Sequence, residues 1–494
     1  MGIIQKDALR TTLISYIGLI VGYLNKGFLF IIILSTEEIG LINLILSVGI
    51  LFAQFTNLGS IYSIWRFYPF FKNEKNNDYG FLVFNLLVVL TGIGLFSFIF
   101  ILFKEQISSF YELKSALFIK FYYYVLPVGI GFGFYLLFDN YLRSLFKNTI
   151  SVFVNDIGLR ILTTILIGLY YFNVIPFRHF VLLISLSYFL PPIVLFVYLK
   201  YIGEGDFSLK SIRISKKFKK IIYSYSLYSY VNSMGAIVVI TLDTVMIASI
   251  LGLKETGIYT TILYLTSVLS IPYRSLLRVS NPIITEYWKS KNMSKMNELY
   301  KRMSSVTLVL GLFMFFGIWI NRIELFSFLP SDFQSGVNVF LFLMIGKLFD
   351  MYMGLNGTIF VTSNKYKYDL IFTLSLMATV LVLNLILIPK WGISGAAIST
   401  TIALVGYNLA RLIFVWISFK INPFRLSQLF VILLFGGIGL MFEMYHFSFD
   451  NRIITIFVNS GVYTLLVFIP IFTLNIEPEV VNYGVKIKKY ILKK

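Results

Sequence analysis

The sequence predicts an all-α integral membrane protein of about fourteen transmembrane helices. Hydrophobic residues make up 58% of the 494 residues and charged residues only 13%, whereas soluble domains have about 25% charged residues. The mean hydropathy is +0.82. The apolar residues also fall into runs of about 20, which is the length that spans a bilayer. A water-soluble fold cannot bury this much apolar surface.

The first half of the chain contains six apolar runs, each of which must satisfy its backbone polar groups within one helix. They are residues 9–34, 39–66, 79–103, 116–143, 150–172 and 180–199. The second half contains residues 221–251, 257–287, 303–320, 336–361, 368–388 and 392–419, followed by two final runs, 426–445 and 453–474. Residues 1–10 lack a small-residue cleavage site, so we expect the first run to be retained as a helix.

Lysine and arginine are concentrated in alternate loops. Of the 42 Lys and Arg residues, 28 lie in one set of loops and the two ends, and 8 lie in the opposite loops. Because cations are held on the cytoplasmic side during insertion, this asymmetry predicts that both termini are cytoplasmic. The net charge of +19 therefore belongs to loops at a membrane surface, and it does not indicate a nucleic-acid-binding protein.

The polar segments between the apolar runs divide the chain into five predicted regions. They are an N-terminal six-helix bundle (1–200), a cytoplasmic basic linker (201–220), a second six-helix bundle (221–420), two extra helices (421–475) and a basic cytoplasmic tail (476–494). The linker is interpreted as a retention signal that touches anionic lipid, with a regulatory site as the alternative. A short internal repeat supports the two bundles, because Glu38-Ile39-Gly40 begins the second helix and Glu255-Thr256-Gly257 begins the eighth. An offset of six helices predicts parallel repeats.

Several ionisable residues lie inside the predicted spans, where each costs about 2.5 to 3.5 kcal/mol on insertion scales. Three sets have a possible partner on their own helix at i+3 or i+4 and are expected to form local pairs, with a role in ion coupling as the alternative for the last two sets. The three sets are Asp139 with Arg143, Asp156 with Arg160, and Lys347 with Asp350. Arg66, Arg143 and Arg411 lie near cytoplasmic ends, where anchoring at the lipid headgroups is favoured.

Other charged residues have no local partner. Lys26 lies deep in the first helix, and Arg274 and Arg278 are one turn apart on the eighth helix with no acid at i±3 or i±4. Paired guanidinium groups suit bidentate binding of a phosphate or pyrophosphate. Asp243 is the lone acid of the seventh helix, and three roles stay open for it: coupling-ion binding, neutralisation of Lys26, or a structural pair with Arg274.

Aromatic and proline residues give weaker signals. The Tyr- and Ser-rich segment 223–233 is too polar to face lipid and is expected to line the cytoplasmic mouth of a cavity. Pro272 and Pro282 interrupt the eighth span, which permits bending but is equally compatible with a static kink. Gly18 and Gly22 are spaced for close helix packing.

No catalytic arrangement is found in the sequence. The chain has no Cys and only two His residues, so neither thiolate chemistry nor a metal site is expected. There is no Ser-His-acid arrangement, no phosphate-binding loop and no long outer loop. We therefore expect no enzyme activity and no cofactor.

Two motifs resemble a known family of exporters. Asp243-Thr-Val-Met-Ile247, Leu251-Gly252, Gly257-Ile258-Tyr259, Pro272 and Pro282 are similar to its D-x-x-[LM]-[IL]…LG…GxY…P…P pattern. The stretch Pro389-Lys-Trp-Gly392-Ile-Ser-Gly395-Ala396-Ala397 resembles the entry to its twelfth helix. The chain thus resembles polysaccharide-export flippases of the multidrug/oligosaccharidyl-lipid/polysaccharide (MOP) superfamily, close to the O-antigen (Wzx-type) branch.

The resemblance implies a MATE- and MurJ-like fold, with two six-helix bundles around a central cavity and two additional helices. It implies a bacterial inner-membrane protein that moves undecaprenyl-pyrophosphate-linked oligosaccharide across the membrane by alternating access. Cations of the first, second and eighth helices line the family's cavity, and Lys26, Arg66, Arg274 and Arg278 lie on those helices here. The expected partners are the lipid-linked substrate, membrane lipids and glycan polymerase or export machinery, with the chain acting as a monomer.

Two alternatives stay open at this point. One is a cation-coupled drug exporter of the same superfamily, although the first helix carries Lys26 and no carboxylate. The other is a membrane polymerase or ligase of glycans, which would need an outer catalytic loop. The residue types do not identify the sugar repeat unit or the coupling ion.

Overall fold

The computed structural model describes residues 3–71, 80–204 and 215–481. Most of the predicted linker and the tail from residue 482 onward lie outside these ranges. The described residues form helices and turns with no β-strand. The chain divides into two compact units, Met1–Thr261 and Ile262–Lys494.

The first unit contains thirteen helices and the start of a fourteenth. They are α1 (Ile3–Leu24), α2 (Phe30–Ile33), α3 (Thr36–Thr56), α4 (Ser60–Phe71), α5 (Phe81–Leu102), α6 (Lys104–Ser109), α7 (Ala116–Lys120), α8 (Val125–Ser144), α9 (Thr149–Phe153), α10 (Leu159–Tyr171), α11 (Phe177–Ser187), α12 (Leu190–Tyr201), α13 (Lys216–Ile250) and α14 (Leu253–Thr266). A core of buried residues from α4, α5, α8 and α12, including Ile64, Phe81, Leu137 and Leu195, holds this unit together.

The second unit contains the remaining helices. They are α15 (Ser270–Lys289), α16 (Met293–Trp319), α17 (Arg322–Ser327), α18 (Val337–Met353), α19 (Asn356–Val361), α20 (Tyr368–Phe419), α21 (Leu426–Met444) and α22 (Arg452–Thr473). One cluster joins α16, α21 and α22 around the buried Tyr463. A second joins α15, α16, α19 and α20 around Ile284, Tyr300 and Phe360.

The all-α membrane fold is confirmed. Eleven of the described helical segments are long and apolar enough to cross a membrane. The 52-residue α20 holds two of the predicted spans, because Gly392 breaks it with φ 59° and ψ −141°. The predicted seventh and eighth spans are present as α13 and as α14 with α15, but their tyrosine, serine and arginine content lowers their hydropathy.

The second predicted span, residues 39–66, is not continuous. It divides into α3 and α4 at Leu58 and Gly59, which have φ values of 48° and 76°. The Asn57 side chain accepts a hydrogen bond from the Gly59 amide at 2.7 Å and stabilises the turn. A Cβ atom at Gly59 would lie 2.4 Å from the Ser226 carbonyl oxygen. The close approach of α13 therefore explains why residue 59 is a glycine. The break between α3 and α4 cannot be predicted from hydropathy.

Two short π-helices also interrupt predicted spans. Asn25–Leu29 separates α1 from α2, and Val154–Gly158 separates α9 from α10. The predicted eighth span is divided as well, by a 3₁₀ turn at Ser267–Leu269 that precedes α15. Such π-bulges are frequent at functional sites.

Candidate substrate-binding site

In the first unit, Lys26 lies within the first π-helix and faces α3. Its Nζ donates a hydrogen bond to Asn43 Oδ1 at 3.0 Å. The Asn43 amide in turn donates to Thr260 Oγ1 of α14 at 3.0 Å. Arg160 is close enough for its positive charge to repel that of Lys26. The predicted lone lysine is therefore a member of a polar chain that joins three helices.

The expected pair of Asp156 with Arg160 is not formed. Asp156 accepts hydrogen bonds from Ser15 Oγ at 3.1 Å and from its neighbour Asn155 at 3.0 Å. Arg160 donates to the backbone carbonyl of Gly18 instead. The physical reason is the π-helix at Val154–Gly158, which widens the turn, so that residues at i and i+4 no longer share a face.

Close packing of α1 accompanies this arrangement. A Cβ atom at Gly18 would lie 2.4 Å from the Asp156 carbonyl oxygen, as the small-residue spacing predicted. Asn25 extends the contact, since its amide donates to the Arg160 carbonyl at 2.8 Å and its oxygen accepts from Thr164 at 2.8 Å. The two π-helices thus belong to one polar contact between α1 and α10.

Arg66 and Asp139 have aromatic and charged partners. The guanidinium of the exposed Arg66 lies 4.4 Å from the ring centre of Tyr225 and 5.7 Å from that of Phe67, which is cation–π geometry. Asp139 accepts from Arg143 at 2.8 Å, so this predicted pair is confirmed.

The Tyr- and Ser-rich segment of α13 is partly packed. Tyr225 covers Arg66, Ser226 is buried, and the Tyr230 hydroxyl donates to the Phe55 carbonyl at 3.1 Å. Tyr223 is exposed. Asp243, further along the same helix, is buried and accepts a hydrogen bond from the Tyr259 hydroxyl at 2.5 Å.

In the second unit, the two arginines of α15 are both exposed. Among the residues that the structure describes, no carboxylate forms an ion pair with Arg274. Lys347 is near enough for its charge and that of Arg274 to repel. The apolar face of α15 packs through Leu277 and Ile284 against the neighbouring helices. The arginines therefore lie on an exposed face beside the packed one.

Lys347 and Asp350 do not pair with each other as expected. Lys347 Nζ donates to Thr266 Oγ1 at 2.7 Å and to the Leu263 carbonyl at 3.2 Å. These groups end α14, and the partial negative charge of a helix C-terminus attracts a cation. Asp350 accepts from Asn408 Nδ2 at 3.0 Å. Each residue thus has a partner on another helix.

The structure corrects the role expected of Arg411. This side chain is only 11% exposed and forms an ion pair with Asp369. Its guanidinium also lies 4.2 Å from the ring centre of Tyr407. It therefore does not extend to the headgroups. No local sequence signal identifies Asp369 as the partner, because it follows the predicted loop lysines and is 42 residues away from Arg411.

A cavity of about 450 Å³ opens beside the arginine face of α15. Asn281, Pro282 and Thr285 of α15 line one side, and Gly357, Thr358, Val361 and Thr362 of α19 line the other. Four uncharged polar side chains therefore share this lining with apolar surface. No group of three His, Asp or Glu side chains suited to hold a metal ion occurs in the described parts of the chain.

The two glycines of the predicted internal repeat pack against each other's helices. A Cβ atom at Gly40 would lie 1.9 Å from the Leu253 carbonyl oxygen, and one at Gly257 would lie 1.8 Å from the Thr36 carbonyl oxygen. Each glycine therefore meets the residue four positions before the other. The contact is reciprocal, which agrees with a two-fold relation between α3 and α14 at this point, although superposition of the repeats stays a prediction.

Solved transporters share this fold. The lipid II flippase MurJ, in an inward closed conformation, aligns with a TM-score of 0.70 at 16% identity, covering 94% of this chain and 99% of MurJ. A multidrug resistance MATE family transporter of the MOP superfamily, in an inward-facing conformation, aligns with a TM-score of 0.61 at 14% identity, covering 84% of this chain and 98% of the transporter. The chain is therefore an integral membrane protein with the fold of MurJ and MATE transporters.

Sequence relatives match only part of the chain. The capsular polysaccharide biosynthesis protein CapF of Staphylococcus aureus is 22% identical over 196 residues, covering 39% of this chain and 49% of CapF. An uncharacterized membrane protein, MJ1068, of Methanocaldococcus jannaschii is 24% identical over 321 residues, covering 63% of this chain and 62% of the relative. The chain thus spans about half to three fifths of the length of these relatives. No family model matches the sequence.

Proposed function

We propose that this protein is a flippase that moves an undecaprenyl-pyrophosphate-linked oligosaccharide across the cytoplasmic membrane by alternating access. The observation that carries the proposal is the exposed pair Arg274 and Arg278 on α15. Two guanidinium groups held one turn apart on an exposed face can bind an anionic diphosphate bidentately. Lys26, Arg66 and Arg160 supply further positive charge in the first unit.

The fold supports a transporter, and the sign of the charges supports an anionic substrate. MurJ, named as a lipid II flippase, and CapF, named as a capsular polysaccharide biosynthesis protein, are consistent with a lipid-linked saccharide. The second candidate is a cation-coupled drug exporter, since a MATE transporter shares the fold. We favour the flippase because residues 10–33 of the first helix contain no Asp or Glu.

Charge reversal at Arg274 is expected to impair transport more than charge removal. Glu repels the diphosphate, Gln leaves it less stabilised, and Lys keeps the charge but loses the bidentate fork. Export of surface polysaccharide should therefore fall in the order wild type, Lys, Gln, Glu, at equal protein level in the membrane. Arg178→Gln, at an exposed position at the start of α11, is the matched control and should export normally.

A swap distinguishes this role from a structural ion pair. If Arg274 served only to neutralise Asp243, the combination Arg274→Asp with Asp243→Arg would restore export. We expect no recovery, because Asp243 is buried and bonded to Tyr259. Recovery in the double variant, or normal export by both Arg274→Gln and Arg278→Gln, would show that these arginines do not bind substrate.

We further propose that both termini and residues 201–220 are cytoplasmic, as the 28 to 8 distribution of Lys and Arg in the loops predicts. The chain has no native Cys, so single Cys residues introduced at Lys210 and at Lys254 report the topology directly. An impermeant maleimide added to intact cells should label the variant at Lys254 and spare the variant at Lys210. The reverse pattern contradicts the orientation.

A further inference from the structure

Four of the exposed polar residues of α15 form one continuous stripe. Arg274, Arg278, Asn281 and Thr285 follow one another at intervals of four, three and four residues, which places all four on one face of a helix. The stripe extends about 10 Å beyond Arg278 toward Thr285, at 1.5 Å per residue. The charged part of the stripe, Arg274 and Arg278, is therefore followed along the helix by an uncharged part, Asn281 and Thr285.

The uncharged part of the stripe lies in one wall of the cavity between α15 and α19. Thr358 and Thr362 face Asn281 and Thr285 across it. Thr362 Oγ1 accepts a hydrogen bond from the Trp288 indole at 3.1 Å, so a large aromatic ring stands at the same end of α15. Amides, hydroxyls and a nearby indole hydrogen-bond to sugar hydroxyls, and the apolar surface of Pro282 and Val361 can contact the C–H faces of a sugar ring.

The order of groups along α15 matches the order of groups in a lipid-linked saccharide, where the sugar is joined to a diphosphate. We propose that the cavity lined by Asn281, Thr285, Thr358 and Thr362 is a sugar subsite, which receives the first sugar while Arg274 and Arg278 hold the diphosphate. This inference rests on the proposed function and adds to it the position of the saccharide. The cavity binds hydroxyl and amide groups of the sugar through neutral hydrogen bonds.

The test compares two lipids that differ only in the sugar. Purified protein in detergent is titrated with radiolabelled undecaprenyl diphosphate and with the same lipid carrying one N-acetylglucosamine. The wild type is expected to bind the sugar-bearing lipid more tightly. Thr285→Val with Thr358→Val keeps the side-chain shape and removes two hydroxyls. It should weaken binding of the sugar-bearing lipid about tenfold and leave binding of the bare lipid unchanged.

Controls separate the subsite from the proposed function. Thr379→Val makes the same chemical change at an exposed threonine of α20 outside the cavity and should affect neither lipid. Arg274→Gln should weaken both lipids alike. Asn281→Ala, at an exposed position, provides a second cavity variant if the double variant is unstable.

The outcomes are distinct. If cavity variants bind the sugar-bearing lipid as the wild type does, or weaken both lipids equally, the sugar subsite is wrong and the flippase proposal stands. The subsite is also overturned if the wild type binds the two lipids equally well. If the wild type binds neither lipid, the flippase proposal and the subsite both fail.

Discussion

Asp369→Asn is expected to destabilise the protein by about 3 to 5 kcal/mol, the cost of removing one partner from a buried ion pair. The pair with Arg411 is enclosed, with side-chain exposures of 8% for Asp369 and 11% for Arg411. Without the Asp369 carboxylate, the buried guanidinium loses its ion-pair partner and keeps only the Tyr407 ring and its electrostatic interaction with Asp350. Thermal unfolding of the purified protein in detergent measures the loss as a lower Tm.

Two comparisons identify the cause of that loss. Arg411→Met combined with Asp369→Leu removes both charges and should be less destabilising than Asp369→Asn alone. Glu443→Gln breaks the ion pair with Arg322, in which the Glu443 side chain is 41% exposed, and should cost at most about 1 kcal/mol. If Asp369→Asn unfolds at the wild-type temperature, the pair does not stabilise the fold.

The sequence predicted the elements that depend on hydropathy and charge. The positions of the helices, the lack of strands in the described residues and the Asp139–Arg143 pair all follow from local patterns. Each of these features is decided within one or two helical turns. A span of apolar residues must be helical in lipid whatever its neighbours are.

The features that the sequence did not reveal depend on contacts between helices. Lys347 binds the end of α14 rather than the acid three residues along its own helix. Arg411 pairs with an aspartate that lies 42 residues away. The π-helix at Val154–Gly158 changes which side chains share a face, and hydropathy does not register this change. The partner of each buried charged residue is therefore decided by how the helices pack, and the spacing of residues along one helix does not specify that packing.

The contact of α3 with α14 is formed by residues of the repeated sequence motif, so a local pattern and a tertiary contact coincide there. Gly40 and Gly257 bring the two backbones together. Three residues further along each helix, Asn43 bonds to Thr260 and also accepts from Lys26. The position of one of the candidate substrate-binding cations thus depends on this glycine contact.

Gly40→Ala is therefore expected to lower the stability of the protein by about 1 to 3 kcal/mol, the usual cost of overpacking a closely packed contact. The new Cβ atom would lie 1.9 Å from the Leu253 carbonyl oxygen, and a backbone atom cannot move aside as a flexible side chain can. The helices must separate, which also strains the Asn43–Thr260 hydrogen bond. The measurement is the Tm of the purified protein in detergent.

Gly94→Ala on α5 is the matched control, because nothing lies within 4 Å of the position that its Cβ atom would take. It should leave stability unchanged or raise it by up to about 1 kcal/mol, since alanine favours the helix. Gly257→Ala should resemble Gly40→Ala. The double variant should cost less than the sum of the two single variants, because one separation of the helices relieves both overlaps. Equal Tm values for Gly40→Ala and Gly94→Ala would contradict the reciprocal contact. Strict additivity of the Gly40→Ala and Gly257→Ala effects would contradict it as well.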